Sequence, residues 1–207
     1  MIKLYEDKEK NFYVRPFTKA DITERYLSWF HDIEVTKYTS HGLFGYTWEQ
    51  AIEFLENSQK AGDIIWAVIM QKTLKIRSAY NEYVGGDISW IDNYNQDTHI
   101  GNVALQNISK INRTAEFACI FGEKEHWGKG IGTAIARLIF NHGFNKLNLN
   151  KIYLGTIEDN MGMKRVAQRL GMRQEGTLID HVFLNGSYQN IIQYGVLKDE
   201  WNRRNSK

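Results

Sequence analysis

One cysteine and one proline in 207 residues set the first limits. With Cys119 alone, neither a disulfide framework nor a multi-cysteine zinc site can be built. A single proline, Pro16, excludes a proline-rich ligand segment and argues against a disordered linker. Charge of one sign is lacking as well. The 26 Lys+Arg against 24 Asp+Glu leave a net +2, too balanced for a nucleic-acid-binding or polybasic membrane surface. The longest apolar run, Ile64 to Met70, falls far short of the ~20 residues that a membrane span needs. The first twenty residues carry charges throughout and no apolar signal core. The expectation is one soluble, cytoplasmic domain over 1–207, with neither nucleic acid nor membrane as partner.

What is present is a repertoire of periodic segments. A strand is expected at Tyr13–Arg15, then a helix from about Asp21 with Ile22, Tyr26, Trp29 and Phe30 on one face. Thr47 and Gln50 have the spacing of a capping box, opening a helix with Ala51, Ile52 and Leu55 on its apolar stripe. Strands follow at Ile64–Met70, His99–Leu105 and Thr114–Phe121, the last holding Cys119 as a small buried side chain. Ile131, Ile135, Leu138, Ile139 and His142 mark a helix, and Lys151–Ile157 a strand. Met163, Val166, Ala167 and Leu170 mark another helix, ended by Gly171. A hairpin of 177–184 with 189–197 turns at Asn185-Gly186. Residues 71–98 exceed the link expected between their flanking strands. Tyr83–Ile91 could form an added hairpin strand, and the segment reads as a lid or homodimer contact exposing Tyr80, Tyr83, Trp90 and Tyr94, or as a surface excursion. Helices flanking an all-strand middle indicate an α+β or mixed-sheet α/β domain.

Seventeen glycines are present, and several crowd between Gly122 and Gly132. The run Trp127-Gly128-Lys129-Gly130-Ile131-Gly132-Thr133 joins a strand to an amphipathic helix. Glycine lets backbone approach a ligand, and the first N–H groups of a helix attract an anion, so a phosphate is the default ligand. A turn that merely needs left-handed backbone is the alternative. Neither common nucleotide motif fits. A Walker A loop needs Ser or Thr where Gly130 stands, and a dinucleotide fingerprint needs glycine at Thr133 or Ile135.

The same run resembles the acetyl-CoA diphosphate loop of the GNAT N-acetyltransferases, written Gln/Arg-x-x-Gly-x-Gly/Ala. Gly130 and Gly132 match, and Trp127 replaces Gln or Arg as in the branch of RimJ/RimL-type ribosomal-protein acetyltransferases. Four further places agree. Ala115-Glu116-Phe117 matches the strand glutamate that acts as base in several members. Ile157-Glu158-Asp159-Asn160 leads into a helix ending at Leu170-Gly171-Met172. Glu175-Gly176-Thr177, Asp180-His181-Val182-Phe183 and Asn185-Gly186-Ser187-Tyr188 resemble the closing hairpin. Val14-Arg15-Pro16 and Tyr26-Leu27-Ser28-Trp29 fit the start. The match runs through nearly all of 12–200.

The resemblance implies a GNAT fold: a mixed, mostly antiparallel twisted sheet, helices on both faces, and one splayed strand pair that receives acetyl-CoA. Backbone of Trp127, Gly128, Lys129, Gly130, Ile131, Gly132 and Thr133 would hold the diphosphate. Main-chain groups of Ile120, Phe121 and Gly122, with the Asn160 side chain, would meet the pantetheine. Asn160 as a helix cap is the alternative. Glu116 would be the catalytic base, or else a structural carboxylate paired with an arginine such as Arg113. His181 and Tyr188 are the candidate substrate-binding side chains. The family's thiolate acid has no equivalent here, because Ala167 and Met163 stand where Tyr or Ser is usual. The remaining histidines show no metal-ligand spacing, and Cys119 lacks an activating His or Asn.

The expected reaction is direct transfer of acetyl from acetyl-CoA to a primary amine, without a metal. The hairpin resembles members that acetylate amino sugars carried on nucleotides, although Asn190 replaces the usual Asp there. A protein N-terminus, an aminoglycoside or a polyamine are the other acceptors. A CoA-binding module without catalysis is the competing class, motivated by Ala167 and Met163.

Overall fold

The computed structural model describes residues 3–43, 45–71 and 97–205. Eight strands form one sheet: β1 (Tyr5–Asp7), β2 (Phe12–Pro16), β3 (Ile64–Met70), β4 (Thr98–Ser109), β5 (Thr114–Phe121), β6 (Lys151–Ile157), β7 (Arg173–Leu184) and β8 (Ser187–Leu197). Their spatial order is β1-β2-β3-β4-β5-β6-β8-β7. All pairs are antiparallel except β5 with β6. The expected mixed, mostly antiparallel α/β architecture is therefore present, with helices on both faces. The candidate strand at Tyr83–Ile91 and the lid or dimer segment fall mostly outside the described residues.

One face carries α4 (Ile131–Asn145), α5 (Met161–Leu170) and α6 (Lys198–Asn205). Phe140, Phe144, Ile135, Ile139, Leu170 and Trp201 leave the water completely and meet Leu105, Ile152 and Val196 of the sheet. The Trp201 indole N–H donates to Asn141 Oδ1, so its polar edge is satisfied inside the core. Truncating Phe140 would cost about 3–5 kcal/mol as lost burial plus cavity.

The opposite face carries α1 (Glu24–His31), the short α2 (Ile33–Thr36) and α3 (Trp48–Ala61). Tyr26, Trp29 and Phe30 turn inward, the face that the helical spacing predicted, and pack with Phe17, Leu55, Ala67 and Ile69. The helix begins later than expected. A 3₁₀ turn at Lys19–Asp21 comes first, because Asp21 is committed elsewhere. Its carboxylate lies in a buried ion pair with Arg15, and the Thr18 N–H and hydroxyl also donate to it. Burial opposes the Asp21 charge, but Arg15 and Thr18 outweigh it and hold the pKa below the ordinary range. Thr23 then caps α1 through Tyr26 N.

The capping box at Thr47 and Gln50 is formed in both directions, and α3 ends on Gly62 with φ +80°. The hairpin closes at Asn185 and Gly186, both at positive φ, as the two-residue turn requires.

Candidate active site

Among the described strands β5 and β6 are the only parallel pair, and they stay paired for three residues. Thr114, Ala115 and Glu116 face Lys151, Ile152 and Tyr153, and beyond that point no further partners are made between them. The remainder of β5 stays zipped to β4, and the remainder of β6 to β8. A wedge thus opens between them, with Glu116 at its apex.

Which backbone groups face the wedge follows from the ladder. Gly122 N–H donates to Ile100 O at 3.1 Å, in the same register that pairs Ile120 with Asn102. Since groups in an antiparallel ladder alternate between the two neighbours, the N–H and C=O of Cys119 and Phe121 point the other way, into the wedge. This corrects part of the expectation. Phe121 is placed to meet a cofactor arm, whereas the backbone of Ile120 and the N–H of Gly122 serve β4. Gly122 is glycine for another reason: a Cβ there would sit 2.0 Å from the Trp29 ring. The indole packs against the strand end, and its N–H donates to Glu123, which also holds Arg25 through two bonds. That locks α1 beside the wedge.

The glycine-rich turn leads from β5 through a 3₁₀ turn, Lys124–His126, into α4. Gly128 and Gly130 have φ +73° and +75°, where a side chain is strained. Gly130 is the N-cap residue, offers no side chain to cap the helix, and no acidic residue stands in the first turn. The N–H groups of Ile131, Gly132 and Thr133 therefore lack the carboxylate or hydroxyl that usually caps such a terminus. An anion suits them. Lys129 lines a small pocket here with His126 and Lys10. Trp127 has a role that spacing could not supply: its indole N–H donates to Phe121 O at 2.9 Å, bracing the turn against the mouth of the wedge.

Asn160 caps α5, its Oδ1 accepting from Met163 N at 3.1 Å. The capping alternative is thus realised, which leaves the amide nitrogen as the group that a cofactor arm could meet. The Glu116 carboxylate accepts from Asn107 Nδ2 at 2.8 Å and Gln106 Nε2 at 3.4 Å. Its partners are amides, so the expected alternative of a pair with Arg113 is not what the fold builds. Tyr153, opposite Glu116, is kept in its protonated form by burial and by that carboxylate.

Glu116 lines a cavity of about 420 Å³ at the wedge. Residues of β4, β5 and β6, among them Asn102, Ala118, Ile120, Gly155 and Ile157, form most of the sheet side, while α1, the segment before α3, α3 itself and β7 face them. Neither of the expected substrate-binding residues is on this wall. His181 and Tyr188 are exposed, and Tyr188 is 65% accessible with its ring against Phe183. A bulge between Leu178 and Val182, with Asp180 at φ +48°, displaces the alternation, and Val182, Phe183 and Leu184 reach the cavity instead. Asn190 stabilises that bulge by accepting from Asp180 N and donating to Glu158.

Behind the wall, His99 stacks on Tyr26 at 6.1 Å and 7°. Its Nε2 faces two acceptors, Asn102 Oδ1 at 2.7 Å and Gly101 O at 3.0 Å, so Nε2 carries the hydrogen. Burial lowers the His99 pKa against the opposing pull of Asn102, and the ring stays neutral at pH 7. Burial pushes the Cys119 thiol up to about 12, which makes it an inert packing residue. Among the described residues, no cluster of His, Cys, Asp or Glu could hold a metal ion, and no helix is long and apolar enough to cross a membrane.

The geometry has known counterparts. Residues 11–173 match the family model of the acetyltransferase (GNAT) domain. Spermidine N(1)-acetyltransferase of Escherichia coli K12 is 36% identical over 101 residues, 49% of this chain and 54% of that enzyme. The N-acetyltransferase YoaA of Bacillus subtilis is 25% identical over 186 residues, 89% of this chain and 92% of that protein. The chain thus spans about half the length of the first curated relatives it matches. A crystal structure of spermidine N-acetyltransferase from Vibrio cholerae with CoA and spermine superposes with a TM-score of 0.70 at 22% identity, covering 92% of this chain and 98% of that one. The wedge, the uncapped glycine turn and the family match lead to one conclusion: the chain belongs to the GNAT acetyltransferase family.

Proposed function

We propose that this protein transfers acetyl from acetyl-CoA to the primary amine of a small molecule, in a complex that holds both substrates at once. One observation carries the reading: the β5–β6 wedge opens immediately above Glu116, with the uncapped α4 terminus at its far end. A diphosphate on Gly128–Thr133 would be held by backbone N–H groups, and the pantetheine would follow the strand edge at Cys119 and the Phe121 N–H, with the Asn160 amide as a further contact. The thioester would then lie above Glu116 and the acceptor in the cavity.

The amine arrives as an ammonium and has no lone pair until it loses a proton. Glu116, directly or through one water, takes that proton. The amine nitrogen then bonds to the thioester carbonyl carbon, and the Phe121 N–H stabilises the oxyanion. The nitrogen of this adduct gives its second proton to solvent, and as the carbonyl re-forms the C–S bond breaks. The products are the acetamide and the CoA thiolate, which takes a proton from solvent, since Ala167 and Met163 offer no acid.

The acceptor class is drawn from the relatives and the cavity together. Of the relatives whose names carry a substrate, one is a ribosomal N-acetyltransferase and the others are spermidine N(1)-acetyltransferases; the spermidine enzymes support a small-molecule amine and, as a second reading, a polyamine. None of those named here supports the nucleotide-linked amino sugar that the hairpin suggested, and the side chains behind that suggestion, His181 and Tyr188, stay off the wall. Thiol release from acetyl-CoA with an amine panel tests the proposal, with mass spectrometry of the products. Glu116→Gln should lower kcat/KM about 10²- to 10⁴-fold with unchanged CoA affinity. CoA binding with no thiol release for any amine would leave only a CoA-binding module.

A further inference from the structure

The cavity wall assigns the kind of amine. Resting on the transfer reading above, we propose that the preferred acceptor is a monoamine with an apolar, ring-sized body, rather than a polyamine or a nucleotide-linked sugar. Six aromatic rings face the described cavity: Tyr26, Phe30, Tyr38, Tyr46, Phe54 and Phe183. Glu116 is the only carboxylate among its described lining residues, and that lining holds no lysine or arginine. His41 adds no cation, because loss of hydration beside Phe30 and Tyr46 lowers its pKa.

Each candidate acceptor makes a different demand. A polyamine carries further ammonium groups beyond the reacting one, and burying each without a carboxylate is costly. Aromatic faces attract an ammonium, but by only about 0.5–2 kcal/mol. A nucleotide-linked sugar brings a diphosphate, for which the described wall has no cation. The cavity, about 420 Å³, is also shared with the thioester tip. A single ammonium on Glu116 with a phenyl-sized body against the rings satisfies both charge and volume. The phenol of Tyr26, kept protonated by burial and by Tyr46, adds a neutral polar edge and no charge.

Calorimetry on the CoA-loaded protein separates this inference from the transfer reading, because it needs no turnover. The probes are 2-phenylethylamine, spermidine and a uridine-diphosphate amino sugar. Phenylethylamine should bind at least tenfold more tightly than either of the others. Phe54→Ala, on the exposed side of α3, and Tyr38→Ala should each weaken it about tenfold while leaving CoA affinity intact. Spermidine or the nucleotide sugar binding as tightly as phenylethylamine, or no detectable phenylethylamine binding, would overturn the inference. Tight phenylethylamine binding without thiol release would instead sink the transfer reading and leave the acceptor-site chemistry standing.

Discussion

The two walls of the cleft are made differently. The cofactor side is backbone: two positive-φ glycines, an uncapped helix end and the free edge of a strand, nearly all within residues 119–133. The acceptor side is made of side chains drawn from α1, the segment before α3, α3, β4 and β7, more than a hundred residues apart in sequence. A ligand shared by many enzymes is met by main chain, which every sequence possesses. The acceptor proposed for this chain would be met by rings that other sequences can exchange. Substitutions on the first wall should therefore act through conformation, and on the second through chemistry.

The largest effect on that contrast is expected at Gly122. A Cβ there meets three atoms of the Trp29 indole at 2.0–2.2 Å, so Gly122→Ala must displace that ring and the α1 helix that carries it. Overpacking of this kind costs typically 1–3 kcal/mol and occasionally more. Because α1 carries Tyr26 and Phe30, this one substitution should damage both walls. Chemical denaturation should show a lower midpoint, and calorimetry weaker binding of CoA and of amine alike.

Gly130→Ala should separate the walls. Its left-handed conformation costs an L-residue roughly 1–2 kcal/mol, while a Cβ would meet nothing nearer than Lys10 Nζ at 3.8 Å. CoA affinity should fall about tenfold as the turn relaxes, and amine binding by the CoA-saturated protein should change little.

The smallest effect is on stability against pH. Burial depresses the folded pKa of His99 below its ordinary value of 6.5, so the unfolded chain binds the proton more readily. The stabilisation is complete above about pH 6.5 and is lost as pH falls from there towards the depressed value. His41 and His142 are shifted in the same direction by burial. Denaturation midpoints should fall on acidification below pH 6.5, and His99→Gln, which removes one titrating ring, should make that fall shallower. An equally steep fall in the variant would assign the acid sensitivity elsewhere.

The same division explains what the sequence disclosed. Glycine spacing and helical periodicity are local, and they located the turn, α4, the Thr47 capping box and the Asn185-Gly186 hairpin. Trp29 was visible as a buried face, but not as the reason that Gly122 is glycine, because that contact joins residues far apart. The direction of the Phe121 and Ile120 backbone depended on a register with β4 that no spacing reveals. His181 and Tyr188 were chosen by resemblance to a family hairpin, and local sequence does not reveal the bulge after Leu178 that brings Val182, Phe183 and Leu184 to the cavity. The early strand β1 and the final helix α6 went unnoticed, being a three-residue edge and an eight-residue polar helix whose one deeply buried residue is Trp201.

Hydrogen–deuterium exchange of the protein with and without CoA tests the central claim most directly. CoA should slow exchange in peptides spanning 117–133, where the free β5 edge and the α4 terminus lie, and leave β1 and β2 unchanged. Protection elsewhere with none in 117–133 would contradict a cofactor seated in the β5–β6 wedge.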